Sequence, residues 1–261
     1  MLHQFDRIVV EDEGDGDAVV CVHGLGGTSN TWTPLMPALA RHRVVRPDLP
    51  GSGRSHRVEC ALSIECFADA VQSVCARLNI TRAHFVGHSM GCIVLQHVAV
   101  AAPKLVRSLA LFGPLIAPPD AARTAIRGRA DKARAEGLHE IALALVNASV
   151  SADSRERVPL AAAFVRESLM RQDADGYARS CDALAATVPA AVEQIRCPVL
   201  LVTGDEDVVA PPQSVRAMAD RLHGAASVRT VVLPRCGHWT PVERVDDCRR
   251  ELRDFLASQR S

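Results

Sequence analysis

A serine hydroxyl is a weak nucleophile until a neighbouring base takes its proton. That base needs an orienting acid, and the reacting carbonyl needs donors for its developing charge. The chain offers residues of each type. Ser89 lies in Gly87-His88-Ser89-Met90-Gly91, directly after the apolar run Ala83-His84-Phe85-Val86 and directly before helix-forming residues. A serine on such a strand-to-helix turn is held out of both elements with its hydroxyl exposed, and glycines on either side permit the turn. The candidate base is His238, in Cys236-Gly237-His238-Trp239, which follows the last expected strand and precedes a helix. The candidate acid is Asp207, three residues beyond Gly204. That is far enough around the turn to point toward a histidine, whereas Asp205 and Glu206 read as solvated turn residues.

The oxyanion donors come from backbone. His23-Gly24-Leu25-Gly26-Gly27 follows an early strand, and its glycine-rich backbone can turn the Leu25 N–H toward the site, opposite the Met90 N–H after the nucleophile. The same segment fails as a dinucleotide loop, because Ser29 stands where a third glycine is needed and no ribose-binding acid ends a second strand. Asp48-Leu49-Pro50-Gly51-Ser52-Gly53-Arg54-Ser55 lacks phosphate-loop spacing and reads as a structured turn beside the site. His88 is expected to line the pocket or to pack under the turn. Trp32, Tyr177 and Trp239 are further pocket-lining candidates. Glu243 is expected to anchor the first turn of the last helix. Nine cysteines at irregular spacings, with no C-x-x-C pair, do not make a zinc site. Cys236, beside His238, is the thiol whose oxidation is expected to matter.

These residues need a scaffold. Short β-branched runs alternate with helical patterns, which implies an α/β fold with a mostly parallel sheet covered on both faces. Strands are expected at about 6–11, 18–23, 43–46, 83–87, 108–112, 199–203 and 228–233. Ser63 reads as the N-cap of a helix to about Leu78, with apolar residues at Ile64, Phe67, Ala68, Val71, Val74 and Cys75. Further helices are expected over 90–101, 212–222 and 241–257. The stretch 114–192 breaks the rhythm: it is rich in Ala, Arg, Asp and Glu, has helical periodicity and shows no strand pattern. The chain therefore reads as a core in two parts, 1–113 and 193–261, with 114–192 as a helical cap over the sheet edge where open α/β sheets bind ligands.

The bulk properties exclude several classes. In 261 residues, 30 basic and 30 acidic side chains cancel, so no global field recruits nucleic acid or an anionic membrane. Aromatic residues make up 3%, and no basic–aromatic interleaving suits single-stranded nucleic acid. The polar, acidic opening does not read as a signal peptide, and no apolar stretch approaches membrane-spanning length. A cytoplasmic protein, monomer or homodimer, with a small-molecule ligand is expected.

Taken together, His23-Gly24-x-Gly26, Asp48-x-x-Gly51-x-Gly53-x-Ser55, Gly87-x-Ser89-x-Gly91, Gly204-x-x-Asp207 and Gly237-His238 resemble the α/β-hydrolase superfamily. The order Ser…Asp…His is the one that arrangement requires. The segment 175–184 and the run Asp207-Val208-Val209-Ala210-Pro211-Pro212 are similar to 3-oxoadipate enol-lactonases. The resemblance implies a serine hydrolase cleaving a small carboxylic ester or lactone through an acyl-enzyme, with no metal or organic cofactor. His88 before the serine and Cys92 after Gly91 depart from the enol-lactonase pattern. Carbon–carbon bond hydrolases of meta-cleavage pathways and hydrolase-fold small-molecule receptors are the alternatives.

Overall fold

The computed structural model describes residues 1–259. Its β-branched runs form eight strands: β1 (Leu2–Phe5), β2 (Ile8–Glu13), β3 (Ala18–Val22), β4 (Arg43–Pro47), β5 (Ala83–His88), β6 (Val106–Phe112), β7 (Val199–Gly204) and β8 (Val228–Leu233). They make one sheet in the order β1-β2-β4-β3-β5-β6-β7-β8. The β1–β2 and β2–β4 pairs are antiparallel, and every other pair is parallel. The chain leaves β3 toward β4 on one side and later returns to place β5 on the other. Such a reversal opens a crevice beyond the strands' carboxyl ends. The loops after β3 and β5 carry Leu25 and Ser89 to that crevice.

The expected first strand is in fact a hairpin. Asp6 and Arg7 both have positive φ, 46° and 72°, which is the two-residue turn that suits the twist of paired strands. Neither is glycine, so the turn carries no familiar signature. Ser29–Leu39, unassigned from sequence, is a run of 3₁₀ turns containing Pro34 and Pro37; proline cannot donate, which interrupts an α-helical ladder.

Alternation along the strands sorts the core into two layers. Val20, Val22, Phe85, Leu109, Leu111, Val199 and Leu201 face α1 (Ile64–Arg77) and α2 (Met90–Ala101). Val19, Cys21, Val86, Ala110, Phe112, Leu200 and Val202 face the 3₁₀ run and α10 (Val245–Ala257) through Trp32, Leu35, Leu252 and Phe255. Sheets covered on both faces read as near-continuous apolar runs, as here. Ser63 caps α1 by accepting the Cys66 N–H.

Five helices lie between β6 and β7: α3 (Asp120–Glu136), α4 (His139–Ser149), α5 (Ala152–Arg157), α6 (Pro159–Met170) and α7 (Ala174–Ala185). α3 packs on α7, and α4 on α6. This insertion is bolted to the loop after β3: Ser168 Oγ and Gln172 Nε2 donate to the Gly26 carbonyl at 2.7 and 3.2 Å. Gln172 Oε1 also accepts the Gly53 N–H at 2.9 Å. After β7 come α8 (Pro212–Arg221), α9 (Thr240–Glu243) and α10. The single helix expected over 241–257 is broken at Arg244, whose φ of −128° and ψ of 61° are non-helical. Among the described residues no helix is long and apolar enough to cross a membrane.

At Gly91, near the start of α2, a methyl group would press on the Val22 carbonyl and sit 2.7 Å from the His23 carbonyl oxygen. Neither can yield without moving β3. Gly91→Ala should therefore destabilise the protein by about 1–3 kcal/mol in urea denaturation. Gly128→Ala, in the interior of α3 with nothing within 4 Å of the added methyl, should instead stabilise by up to about 1 kcal/mol.

Candidate active site

Ser89 joins β5 to α2 with φ 51° and ψ −120°, a conformation L-residues adopt only under constraint. It aims the hydroxyl out of the sheet toward the loop after β8. Ser89 Oγ lies 2.8 Å from His238 Nε2. His238 Nδ1 lies 2.9 and 3.0 Å from the two Asp207 carboxylate oxygens. With Nδ1–H donating to the carboxylate, Nε2 carries the lone pair and accepts the hydrogen bond of the serine hydroxyl.

Asp207 is buried and satisfied. Its Oδ1 accepts the Val209 and Ala210 N–H groups, each at 2.8 Å, and its Oδ2 accepts from Thr203 Oγ1 at 3.3 Å. Burial pushes its carboxyl upward, but the His238 imidazole and these N–H donors outweigh burial and hold it below the ordinary carboxylate range. Asp205 and Glu206 face elsewhere, accepting the Cys236 and Ala152 N–H groups.

The histidine loop is held by an anchor that sequence reading placed differently. Glu243 does not serve its own helix's first turn alone. Its carboxylate accepts the N–H groups of Gly237, Trp239 and, from the insertion, Ser151, each at 2.9 Å. The His238 N–H donates to the Ser149 carbonyl at 2.8 Å, and Trp239 Nε1 to Ser149 Oγ at 3.2 Å. From beneath, His88 donates Nε2–H to the His238 carbonyl at 3.0 Å, and its ring packs 5.1 Å from His238 and 5.0 Å from Trp239. Burial, then the His238 ring, presses the His88 pKa down to about 3, so it stays neutral.

The loop after β3 comes very close to the serine. A methyl on Gly24 would be 2.8 Å from Ser89 Cβ and 2.9 Å from the His88 carbonyl oxygen, so only glycine fits. His23 braces this loop, donating Nδ1–H to the Gly24 carbonyl at 2.8 Å and accepting the Leu49 N–H on Nε2 at 2.9 Å. Leu25 and Met90 both line the cavity that holds Ser89. Met90 opens α2, and the first N–H groups of a helix have no intrahelical acceptor.

That cavity has a volume of about 220 Å³, with Ser89, His88, His238 and Trp239 on its floor side and mainly apolar walls such as Leu115, Ile126, Leu145 and Val209. Trp32 and Tyr177, both expected at the pocket, are not among its lining residues. Trp32 is buried in the opposite core layer, edge-on to Phe112 at 6.1 Å. Tyr177 is buried within the insertion, where its hydroxyl adjoins Arg129. Arg129, on α3, does line the cavity and was not singled out from sequence. A signal existed: it shares the helical stripe of Ile126, Ala130 and Ala133, the buried residues of α3. Arg129 makes no ion pair among the described residues. No three His, Cys, Asp or Glu side chains among the described residues are placed to hold a metal ion.

Comparison with known proteins gives the family and the fold. The α/β-hydrolase-fold family matches residues 17–245. The chain is 29% identical to 2-hydroxymuconate semialdehyde hydrolase of Pseudomonas sp. (strain CF600), over 96% of this chain and 90% of that one. It is similar in structure to the malate-bound thermophilic esterase of Thermogutta terrifontis, with a TM-score of 0.90, 25% identity, and 97% and 94% of the two chains covered. The enol-lactonase of Burkholderia xenovorans LB400 superposes with a TM-score of 0.88 and 28% identity, over 98% of this chain and 100% of that one.

The buried neutral histidines set an acid limit. His88, at about 3, and His84, at about 4, are depressed by burial from an ordinary 6.5. As pH falls below 6.5 the unfolded chain takes up protons that the folded one refuses, so stability is present above that value and lost below it. For His88 the loss is about 1.4 kcal/mol per pH unit between roughly pH 6 and 4. Urea denaturation over that range should show the decline, and His88→Asn should flatten it by one proton's worth.

Proposed function

Because this chain belongs to the α/β-hydrolase-fold family and is a hydrolytic enzyme of that fold, we propose that it cleaves a small carboxylic ester or lactone through an acyl-enzyme on Ser89. The observation that carries this is the unbroken hydrogen-bond chain from Ser89 Oγ through His238 to Asp207. As Ser89 Oγ attacks the carbonyl carbon, His238 Nε2 takes its proton, and Asp207 stabilises the imidazolium while keeping its ring in place. The Leu25 and Met90 N–H groups receive the tetrahedral oxyanion. Collapse expels the alkoxide, which takes the proton from His238. Water, activated by the same imidazole, then releases the acid.

The cavity narrows the substrate. About 220 Å³ is below the usual range for drug-sized ligands, which favours a short acyl group or small ring. Its walls are apolar except for Ser149 and Arg129. A guanidinium facing such a pocket without a carboxylate partner is costly, and a ligand carboxylate would restore the pairing with two parallel hydrogen bonds. The malate-bound state of the similar esterase supports the same reading. Carbon–carbon hydrolysis of a vinylogous diketone is the second reading, supported by the 29% identity to 2-hydroxymuconate semialdehyde hydrolase.

Three measurements test this. Ser89→Ala should lower kcat on p-nitrophenyl acetate by at least about 10⁴-fold, and near-native turnover by that variant would overturn the mechanism. A substrate panel should favour short esters or lactones carrying a carboxylate over their neutral analogues and over a vinylogous diketone. Arg129→Met should raise KM for the carboxylate-bearing substrates by about 10–100-fold, with a far smaller change for neutral esters.

A further inference from the structure

Sequence reading pointed to Cys236 as the thiol to watch, but Cys236 is fully buried and burial drives its pKa far up. Of the nine cysteines only Cys60 is exposed. Its sulfur lies 3.3 Å from that of Cys66, which is half-buried. Cys60 belongs to the irregular stretch between the turn Gly53–Ser55 and α1, and Cys66 sits in the first turn of α1. The two thiols line a surface cleft of about 260 Å³ with Phe5, Pro50, Val58 and Asp69. That cleft shares no lining residue with the cavity around Ser89.

We propose that Cys60 and Cys66 form a thiol-modification site that closes into an intramolecular disulfide with a small disulfide oxidant such as oxidised glutathione. A disulfide needs the sulfurs at about 2.05 Å. Cys66 is fixed by its N–H bond to Ser63 Oγ at 3.1 Å, whereas Cys60 lies on irregular chain and can make the remaining approach. Burial, then the neighbouring Cys60 thiol, raises Cys66 to about 11, so Cys66 is protonated at neutral pH. The exposed Cys60 meets the oxidant first.

The exchange balances in two steps. Cys60 gives its proton to solvent and its thiolate attacks one oxidant sulfur, breaking the oxidant S–S bond and releasing one glutathione thiolate. Cys66 then loses its proton and attacks Cys60 Sγ, expelling the second glutathione thiolate. Two protein thiols are oxidised and one disulfide is reduced to two thiols. The closed ring spans residues 60–66. On its other side this segment seats the insertion, because Arg179 on α7 donates to the carbonyls of Val58, at 2.9 Å, and Cys60. Closing the ring removes freedom from that seat in the unfolded chain and should raise the melting temperature.

Intact-protein mass spectrometry and peptide mapping after incubation with oxidised glutathione test the site. Wild type should lose two hydrogens, yield a peptide linking residues 60 and 66, and melt at a higher temperature, all reversed by a thiol reductant. Cys66→Ser should stop at one glutathionyl group on Cys60, and Cys60→Ser should give neither product. Far-UV circular dichroism and a cooperative thermal melt in reducing buffer check that both variants are folded. A stable glutathione adduct on wild type without ring closure, a disulfide mapping to other cysteines, or no reaction under oxidising glutathione would each overturn the proposal. The outcome is independent of which substrate Ser89 attacks.

Discussion

Ser89 holds a backbone conformation, φ 51° and ψ −120°, that costs a residue with a side chain about 1–3 kcal/mol. The strain persists because both neighbours are immovable. β5 is buried along its whole length between β3 and β6, and α2 is buried along most of its own. The turn between them must therefore be abrupt, and an abrupt turn is what lifts the hydroxyl clear of the sheet. Glycine-only contacts follow from the same crowding: Gly24 meets the serine itself, and Gly91 meets the end of β3. Geometry that is awkward for the backbone is useful for the side chain.

The Ser89 hydroxyl is fixed this rigidly, while its hydrogen-bond partner His238 lies on a loop. Three buried hydrogen bonds to Glu243 and one from His238 N–H to Ser149 hold that loop. Two of these bonds reach the insertion, at Ser149 and Ser151, so its position and that of the imidazole are one structural unit. Glu243 is free to turn back because the helix breaks at Arg244. Asp207 is satisfied from the opposite side by its own turn, through Val209 and Ala210. The Asp207 carboxylate is thus braced by backbone N–H groups, and the main chain on either side of the His238 ring by Ser149 and Glu243.

The insertion also decides the electrostatics of the cavity. With core residues such as Val209 and Trp239 it gives the cavity a mainly apolar lining, and a low local dielectric strengthens charge interactions. In that setting the neutral state of His88 matters: an imidazolium there would oppose any positive charge on the His238 ring, 5.1 Å away. Burial prevents it. Among the described residues Arg129 is the one arginine or lysine on the cavity wall, set among apolar side chains where a low dielectric strengthens charge interactions.

Much of this arrangement was legible in the chain because it rests on local rules. Alternating β-branched runs give strands, Ser63 gives a helix start, and a glycine-flanked serine between strand and helix gives the turn; the order of Ser89, Asp207 and His238 follows from where those elements end. What stayed hidden was decided by contacts between distant segments. The Asp6–Arg7 hairpin turn needs two positive φ values that strand pairing imposes and neither residue advertises. The break at Arg244 coincides with Glu243 reaching Gly237 and Ser151, the latter 92 positions away. Trp32 and Tyr177 are apolar enough for either a pocket or a core, and only packing put one under the sheet and the other inside the insertion. Periodicity places Arg129 on the inner stripe of α3, but only tertiary structure sets that stripe over Ser89. Local propensity is a property of short windows and can be read in one dimension; which buried surface meets which other is a property of the whole chain closing on itself.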